Sequence, residues 1–381
     1  MTGRRRIEIA LPALGEEEWQ ALREPLLSGW VTQGPKVAAF ERAFARRHAV
    51  KHALAASSCT TALHLILQAL ELGPGDEVIV PALTWVATAN AVVYTGARPV
   101  LADVEPGTFN LDPEQVARRV TSRTRAVVAV HLFGLCADVD AIREAAPGAV
   151  LVEDAACAAG ASYKGRWAGS LGRAAAFSFH PRKAITTGEG GMVTTDDDAL
   201  AARVESLRNH GASISEEKRH AGPRPYLMAD YDRLGFNYRM TDVQGAIGLV
   251  QLAKLDGLLE ERRSWAGYYE RELRDISWLA TPRAAEGYGH AWQSYVLRVD
   301  AAAVPRPRDE VMEALQEQGI ATRPGTHALH TLGFYRELLG HRAEDFPNAR
   351  DGERLSISIP LHNRMSEADY ARVVEALRDL G

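Results

Sequence analysis

The stretch AVLVED, residues 149–154, joins an apolar and β-branched run to two carboxylates. Such a short run is typical of a strand that is buried on both faces of a parallel sheet. Comparable runs predict further strands, and these are residues 77–81, 98–104, 126–131, 174–179 and 191–195.

Helical patterns separate the first of these strands, at residues 60–72, 87–94, 113–120 and 138–145. Strands that alternate with helices at this spacing form a mainly parallel sheet with helices on both faces. The sequence therefore predicts an α/β fold with a mainly parallel central sheet in a large domain.

The pattern changes at residue 241. Helical spacing runs almost without interruption over residues 241–273 and predicts a long connecting helix. After it come predicted strands at residues 294–299 and 356–359 and predicted helices at residues 308–318 and 367–380. We therefore expect a smaller C-terminal α+β domain, with domain limits of 1–250 and 251–381. The polar residues 210–226 lack periodicity, so we expect a mobile loop there.

Composition narrows the class of protein. The chain has 381 residues, of which 46% are hydrophobic and 24% charged, and a formal net charge of −5. This charge gives no support to a nucleic-acid partner, and no stretch reaches the ~20 apolar residues that span a membrane. The three cysteines, Cys59, Cys136 and Cys157, have neither disulfide nor zinc spacing. We expect a cytoplasmic protein without a metal site.

Two strand ends carry side chains that suit a ligand, because ligands in open α/β sheets bind beyond the carboxyl ends of the strands. Asp154 is either a turn former or a counter-ion to a protonated ring nitrogen. Trp85 is either a core residue or an indole that stacks on a flat ring.

Two loop segments add to this set. Small and hydroxyl residues at 57–62 open a predicted helix, where they either cap the helix or form a phosphate cradle. Lys183 ends the stretch FSFHPRK and precedes the glycine-rich GEGG at residues 188–191. A loop lysine is ordinarily solvated, but glycines allow close approach of a ligand, so Lys183 is a candidate nucleophile.

In chain order, a phosphate cradle, an aromatic, a carboxylate and a lysine in a glycine-rich loop are the layout of fold-type-I pyridoxal-phosphate enzymes. The sequence resembles the DegT/StrS-type sugar aminotransferase family over nearly its whole length. The stretches that carry the resemblance are residues 28–35, 58–65, 73–81, 84–90, 153–160, 177–193 and 235–242.

The resemblance implies that pyridoxal 5'-phosphate is the cofactor. Lys183 would bind it covalently, and Asp154 would contact its pyridine nitrogen. Trp85 would stack on the ring, and Ser178 would hold the phosphate. One branch of the family, the deoxysugar dehydratases, has histidine at the lysine position, so Lys183 argues against that branch.

The resemblance also implies that the backbone at Cys59 and Thr60 holds the phosphate. Asn237 would reach the phosphate from a neighbouring subunit, which implies a homodimer with shared sites. Two positions depart from the family pattern. Cys59 replaces a common glycine, and Cys157 replaces a common glutamine, so a cofactor contact from Cys157 would involve a thiol, which is a weak donor.

The implied reaction moves an amino group from glutamate or glutamine to a nucleotide-linked keto-sugar. A cyclitol ketone is the alternative acceptor; a lyase or aldolase reaction and a non-catalytic cofactor-binding regulator are the other readings. Candidates to contact the acceptor are Arg239, Arg323, His327 and the loop at 210–226, although exposed arginines are mostly solvated.

Overall fold

A computed structural model describes residues 5–214, 222–223, 226 and 228–381. In its first half, strands and helices alternate as expected from the sequence. The elements are α1 (Glu16–Ala21), α2 (Arg23–Ser28), α3 (Pro35–His48), β1 (His52–Ala56), α4 (Cys59–Ala69), β2 (Glu77–Pro81), β3 (Leu83–Thr84), α5 (Ala87–Tyr94), β4 (Arg98–Ala102), α6 (Pro113–Arg119), β5 (Thr124–Val130), α7 (Val139–Ala145), β6 (Val150–Asp154), β7 (Ser162–Tyr163), β8 (Arg166–Trp167), β9 (Ala174–Ser178), β10 (Gly191–Thr195) and α8 (Asp198–Leu207).

A long helix opens the second half. The elements are α9 (Asp242–Leu273), β11 (Leu279–Ala280), β12 (Tyr288–Gly289), β13 (Tyr295–Val299), α10 (Arg308–Glu317), β14 (His327–Ala328), α11 (Gly333–Leu339), α12 (Pro347–Leu355), β15 (Ser356–Ile359) and α13 (Glu367–Arg378). Thr241 caps α9, since its hydroxyl accepts the N–H of Gln244 at 3.2 Å.

The main sheet has seven strands in the order β1-β10-β9-β6-β5-β2-β4. Neighbours from β9 to β4 pair in parallel, whereas β10 is antiparallel to both β9 and β1. The predicted α/β fold with a mainly parallel central sheet is confirmed. Because β10 runs in the opposite direction, its first residue lies at the edge where the other strands end.

Each face of the sheet supports a separate hydrophobic cluster. In β1, Leu54 and Ala56 pack into one cluster, and Ala53 and Ala55 pack into the other. This division follows from the two-residue period of a strand, which turns successive side chains to opposite faces. Burial on both faces explains why the strands appear in the sequence as continuous apolar runs.

The C-terminal part contains its own antiparallel sheet, in the order β11-β13-β15. A third cluster packs on it and includes Tyr269 of α9 and Ile7 from the N-terminal segment. The domain limit predicted at residue 250 lies within α9, which continues through it without a break. The division into 1–250 and 251–381 stays a prediction. Among the described residues, no helix is long and apolar enough to cross a membrane.

Candidate active site

The register of the main sheet gathers several predicted residues at one edge. Ala56, the last residue of β1, pairs with Gly191, which pairs in turn with Ser178 at the end of β9. Two residues before Ser178, Ala176 pairs with Asp154 at the end of β6. The strand ends therefore bring the carboxylate, Ser178 and the segment after β1 to the same edge of the sheet.

Asp154 is buried, with 5% of its surface exposed. One carboxylate oxygen accepts the Thr88 hydroxyl at 2.7 Å, and the other accepts the backbone N–H of Ala156 at 3.2 Å. Thr88 lies 3.0 Å from the hydroxyl of Thr84. Sequence reasoning missed Thr88. The available signal was a hydroxyl residue in the first turn of the helix predicted at residues 87–94, close to the strand end that carries Trp85.

Lys183 lies in the loop between β9 and β10, and the loop is closed at its base. The N–H of Phe179 donates to Gly190 at 2.9 Å, and the N–H of Thr187 donates to Phe179 at 3.0 Å. The side chain of Lys183 is half-buried, and its Nζ donates to Sγ of Cys157 at 3.1 Å. Cys157 is three residues beyond Asp154, so the lysine amine reaches the turn that follows the buried carboxylate.

The N-terminus of α4 lies beside the same edge. The Ser58 hydroxyl caps the helix by accepting the N–H of Thr61 at 3.1 Å, so the capping role considered from the sequence exists. Cys59 and Thr60 begin the helix, where backbone N–H groups have no partner within the helix and favour an anion. A methyl group at Gly191 would lie 2.4 Å from the carbonyl oxygen of Ser58, so only glycine allows this approach.

The Cys59 thiol is electrostatically coupled to the other predicted groups. Burial raises the pKa of Cys59 well above its usual value, the Asp154 carboxylate raises it further, and Lys183 opposes the rise. Cys59 is therefore a neutral thiol that lies close enough to Asp154, Lys183 and Cys157 to interact with them electrostatically. These four residues, separated by up to 124 positions in the sequence, belong to one site.

Trp85 and His327 form one side of the site. The Trp85 side chain is 56% exposed, so it is not a core residue. Strand β14 pairs with β3, and this pairing sets His327 opposite Thr84. The two rings lie 5.6 Å apart at an angle of 44°. The C-terminal part therefore contributes a ring beside the indole that is predicted to stack on the cofactor.

Two arginines accompany the lysine: Arg182 lies next to it in the loop, and Arg323 comes from the C-terminal part of the chain. Burial and the neighbouring Arg182 lower the pKa of Arg323, which is half-buried. Burial and Arg182 also lower the pKa of His180, whose Nδ1 accepts the Arg182 backbone N–H at 3.2 Å. Arg182 and Arg323 bring two guanidinium groups to this part of the site, and such groups suit an anionic ligand.

Asn237 and Arg239 lie in the segment that precedes α9. Asn237 is exposed and forms a bridge with Asn209, while the Arg239 guanidinium donates to the Asn209 side chain at 3.4 Å. The Ser57 N–H donates to the Tyr238 carbonyl at 2.8 Å, which ties this segment to the start of α4. Of the loop predicted at 210–226, residues 215–221, 224 and 225 lie outside the described residues.

These residues fit pyridoxal phosphate. A buried carboxylate suits a ring nitrogen, a half-buried amine suits the aldehyde carbon, and the first N–H groups of α4 suit the phosphate. Together with the mixed sheet, they define the class of protein, a fold-type-I enzyme that depends on pyridoxal phosphate. Within that class, the chain belongs to the DegT/DnrJ/EryC1/StrS aminotransferase family, whose sequence model matches residues 12–378.

Known relatives are similar to this chain over nearly its full length. The spore coat polysaccharide biosynthesis protein SpsC of Bacillus subtilis is 42% identical over 374 residues, which are 97% of this chain and 96% of SpsC. Spr1654 from Streptococcus pneumoniae, solved in PMP-form and PLP-form, is 28% identical with a TM-score of 0.91 over 98% of both chains in the PMP-form. DesI, solved in the presence of its TDP-sugar product, is 33% identical with a TM-score of 0.89 over 98% of this chain and 93% of DesI.

Proposed function

We propose that this aminotransferase moves an amino group from glutamate or glutamine to a nucleotide-linked keto-sugar, with Lys183 and Asp154 as the catalytic residues. The observation that carries the proposal is the convergence of Lys183, Asp154 and the N-terminus of α4 at one sheet edge. The likeness to DesI, whose structure includes a TDP-sugar product, supports the acceptor class.

When bound, pyridoxal phosphate supplies the electron sink that makes the proton on the donor's α-carbon acidic. Asp154 would hold the ring nitrogen protonated, and the Thr88 hydroxyl fixes the carboxylate for that contact. Lys183, once its amine is free, would carry the proton between the donor's α-carbon and the cofactor. Its half-buried position leaves the amine within reach of a substrate.

The other predicted contacts would bind and orient. Trp85 would cover one face of the cofactor ring, and Ser178 with the backbone of Cys59 and Thr60 would hold the phosphate. Cys157 would meet the cofactor through a thiol. Arg323 would face the carboxylate of the amino donor or the diphosphate of the acceptor, since both are anions that an arginine binds in a bidentate manner.

Arg239 and His327 would contact the acceptor at the outer part of the site. His327 is exposed beside Trp85, and a ring in that position suits a sugar or a nucleobase. The name of SpsC supports a saccharide acceptor. We also propose a cytoplasmic homodimer in which Asn237, which is exposed, reaches the phosphate of the neighbouring subunit.

The decisive experiment starts from full-length protein that has been reconstituted with pyridoxamine phosphate. A panel of nucleotide keto-sugars and one cyclitol ketone is added, and the visible absorbance of the pyridoxal form is recorded. We expect a nucleotide keto-sugar to restore this absorbance. Recovery with the cyclitol ketone alone would replace the proposed acceptor. If no ketone restores the absorbance and no amino donor removes it from the pyridoxal form, the non-catalytic alternative gains support.

A further inference from the structure

The pair formed by Lys183 and Cys157 has a chemistry that the transamination reaction does not use. We propose that peroxide converts this pair to a covalent sulfur–nitrogen bridge, which reversibly prevents the Lys183 amine from binding the cofactor. The proposal rests on the assigned role of Lys183 in cofactor binding. With such a bridge, the return of the cofactor to the Lys183 amine would depend on the redox state of the cell.

The contact between the two side chains is direct. Nζ of Lys183 donates to Sγ of Cys157 at 3.1 Å, and both side chains are half-buried. Peroxide oxidises a cysteine through its thiolate, and here the lysine amine lies beside the sulfur that would become the sulfenic acid. The flexible four-carbon stem of lysine can bring the nitrogen onto the sulfur without movement of the backbone.

Contacts around Gln293 and Gly134 hold the backbone of both Lys183 and Cys157 in place. Gln293 donates through its side-chain amide to the carbonyl of Arg182 at 2.9 Å, next to the lysine. A methyl group at Gly134 would lie 3.1 Å from both the backbone N of Gln293 and the carbonyl oxygen of Cys157, so these groups pack closely around Gly134. The N–H of Lys183 also donates to His180 at 2.9 Å, which fixes the turn that presents the amine.

The other two thiols are poor competitors for peroxide. Cys59 and Cys136 are buried, with 9% and 1% of their surfaces exposed, and burial raises the pKa of both thiols. Cys157 is the more exposed of the three. Oxidation is therefore directed to the cysteine that touches the lysine amine.

The reaction balances with peroxide as the oxidant. The Cys157 thiolate attacks one peroxide oxygen, and the O–O bond breaks to give a sulfenic acid and hydroxide, which takes a proton from the lysine ammonium. The neutral Lys183 amine then attacks the sulfur, and the sulfenic hydroxyl leaves as water with a proton from nitrogen. One amine, one thiol and one peroxide give one bridge and two waters. Two thiols reopen the bridge and leave as a disulfide.

The bridge needs a free lysine amine, so it should form in one cofactor state and not in the other. In the pyridoxamine form the amine of Lys183 is free, whereas in the pyridoxal form it is bonded to the cofactor. We expect the pyridoxamine form to be sensitive to peroxide and the pyridoxal form to be protected. This difference is the signature that separates the bridge from nonspecific oxidation.

The test compares full-length protein loaded with pyridoxamine phosphate or with pyridoxal phosphate, each treated with hydrogen peroxide and digested without reductant. Mass spectrometry should find the peptides of Cys157 and Lys183 joined, at about 2 Da below their summed mass, in the pyridoxamine form alone. Dithiothreitol should separate them. Cys157→Ser should abolish the joined pair, whereas the matched variant Cys136→Ser should retain it.

Other products would overturn the proposal. These are a Cys157 sulfinic acid with Lys183 unlinked, a disulfide between Cys157 and Cys59, a joined pair that retains oxygen, or equal bridging in both cofactor forms. Borohydride trapping of pyridoxal phosphate in untreated protein tests the assigned role of Lys183 separately. If trapping labels a different lysine, the proposed function fails while the bridge can still be observed.

Discussion

At the scale of single residues, the amine of Lys183 is the group on which the assigned chemistry depends. We expect Lys183→Ala to remove the covalent cofactor adduct that borohydride traps, because no other amine replaces Nζ at that position. Peptide mapping after reduction measures this loss. Lys164→Ala is the matched control, since Lys164 is a lysine on the surface that pairs with Asp140 at 3.0 Å. An adduct that persists in Lys183→Ala would show that the cofactor binds to a different lysine.

Asp154 provides a second test at this scale. Asp154→Asn keeps the shape of the side chain and an acceptor for the Thr88 hydroxyl, so the cofactor should still bind. It removes the negative charge that keeps a ring nitrogen protonated, so we expect the proton-transfer rate to fall roughly 10²–10³-fold. Single-turnover absorbance measurements with glutamate or glutamine record that rate.

The control for Asp154→Asn is Asp140→Asn, the same change at a carboxylate that forms surface ion pairs with Arg143, Lys164 and Arg166. The control should turn over at the normal rate. A normal proton-transfer rate in Asp154→Asn would withdraw the role that we assign to the buried carboxylate.

At the scale of the elements, strand β10 meets the start of α4 at Gly191. An alanine methyl group there would lie 2.4 Å from the Ser58 carbonyl oxygen and 2.6 Å from the Cys59 backbone N, and backbone atoms cannot move aside easily. We expect Gly191→Ala to push the strand from the helix and to weaken pyridoxal phosphate binding by tenfold or more, by roughly 1.4 kcal/mol. Fluorescence titration of the cofactor measures the dissociation constant.

The matched glycine for this test is Gly257, in the interior of α9, where an added methyl group would meet nothing within 4 Å. Gly257→Ala should leave cofactor binding unchanged and raise stability by about 0.5–1 kcal/mol, because alanine restricts the unfolded chain. Unchanged cofactor affinity in Gly191→Ala would mean that the start of α4 does not hold the phosphate.

The elements also show what the sequence can predict. The bounds of β2, α5 and β10 follow from their apolar runs and flanking turn residues, and they agree with the predicted ranges. The direction of β10 could not be predicted, because an apolar run has the same pattern in either direction. The helix at Pro35–His48 was missed, although proline at its first position and arginines in its last turn are helix signals.

The site shows the same division between local and distant information. The sequence alone suggested Asp154 and Lys183, since each is close to a strand end or a glycine-rich loop. Their convergence depends on sheet register, and the contact between Lys183 and Cys157 depends on side-chain packing. Pairing of His327 with Thr84 joins segments more than 240 residues apart, so no local pattern could indicate it.

At the scale of the whole molecule, buried histidines make stability depend on pH. Burial lowers the pKa of His48 to about 4, of His290 to about 3 and of His362 to about 4. His48 stacks on Phe44 with ring centroids 4.3 Å apart, and His290 stacks on Trp292 at 3.9 Å. In the unfolded chain these rings titrate near pH 6.5.

Because the folded pKa values are depressed, the unfolded chain binds protons first as the pH falls. The contribution of these histidines is fully present above about pH 6.5 and is lost as the pH falls through about 4 for His48 and His362 and through about 3 for His290. Each histidine costs up to about 1.4 kcal/mol of unfolding free energy per pH unit within that window.

We therefore expect the urea midpoint of the cofactor-saturated protein to fall steeply between pH 6.5 and pH 5 and to stay nearly constant from pH 7 to pH 8. His48→Gln should flatten this dependence, since it removes one of the histidines whose pKa burial lowers most, whereas His210→Gln, a change at an exposed ring, should leave it unaltered. Equal urea midpoints at pH 5 and pH 7.5 would show that the buried rings do not control the acid response.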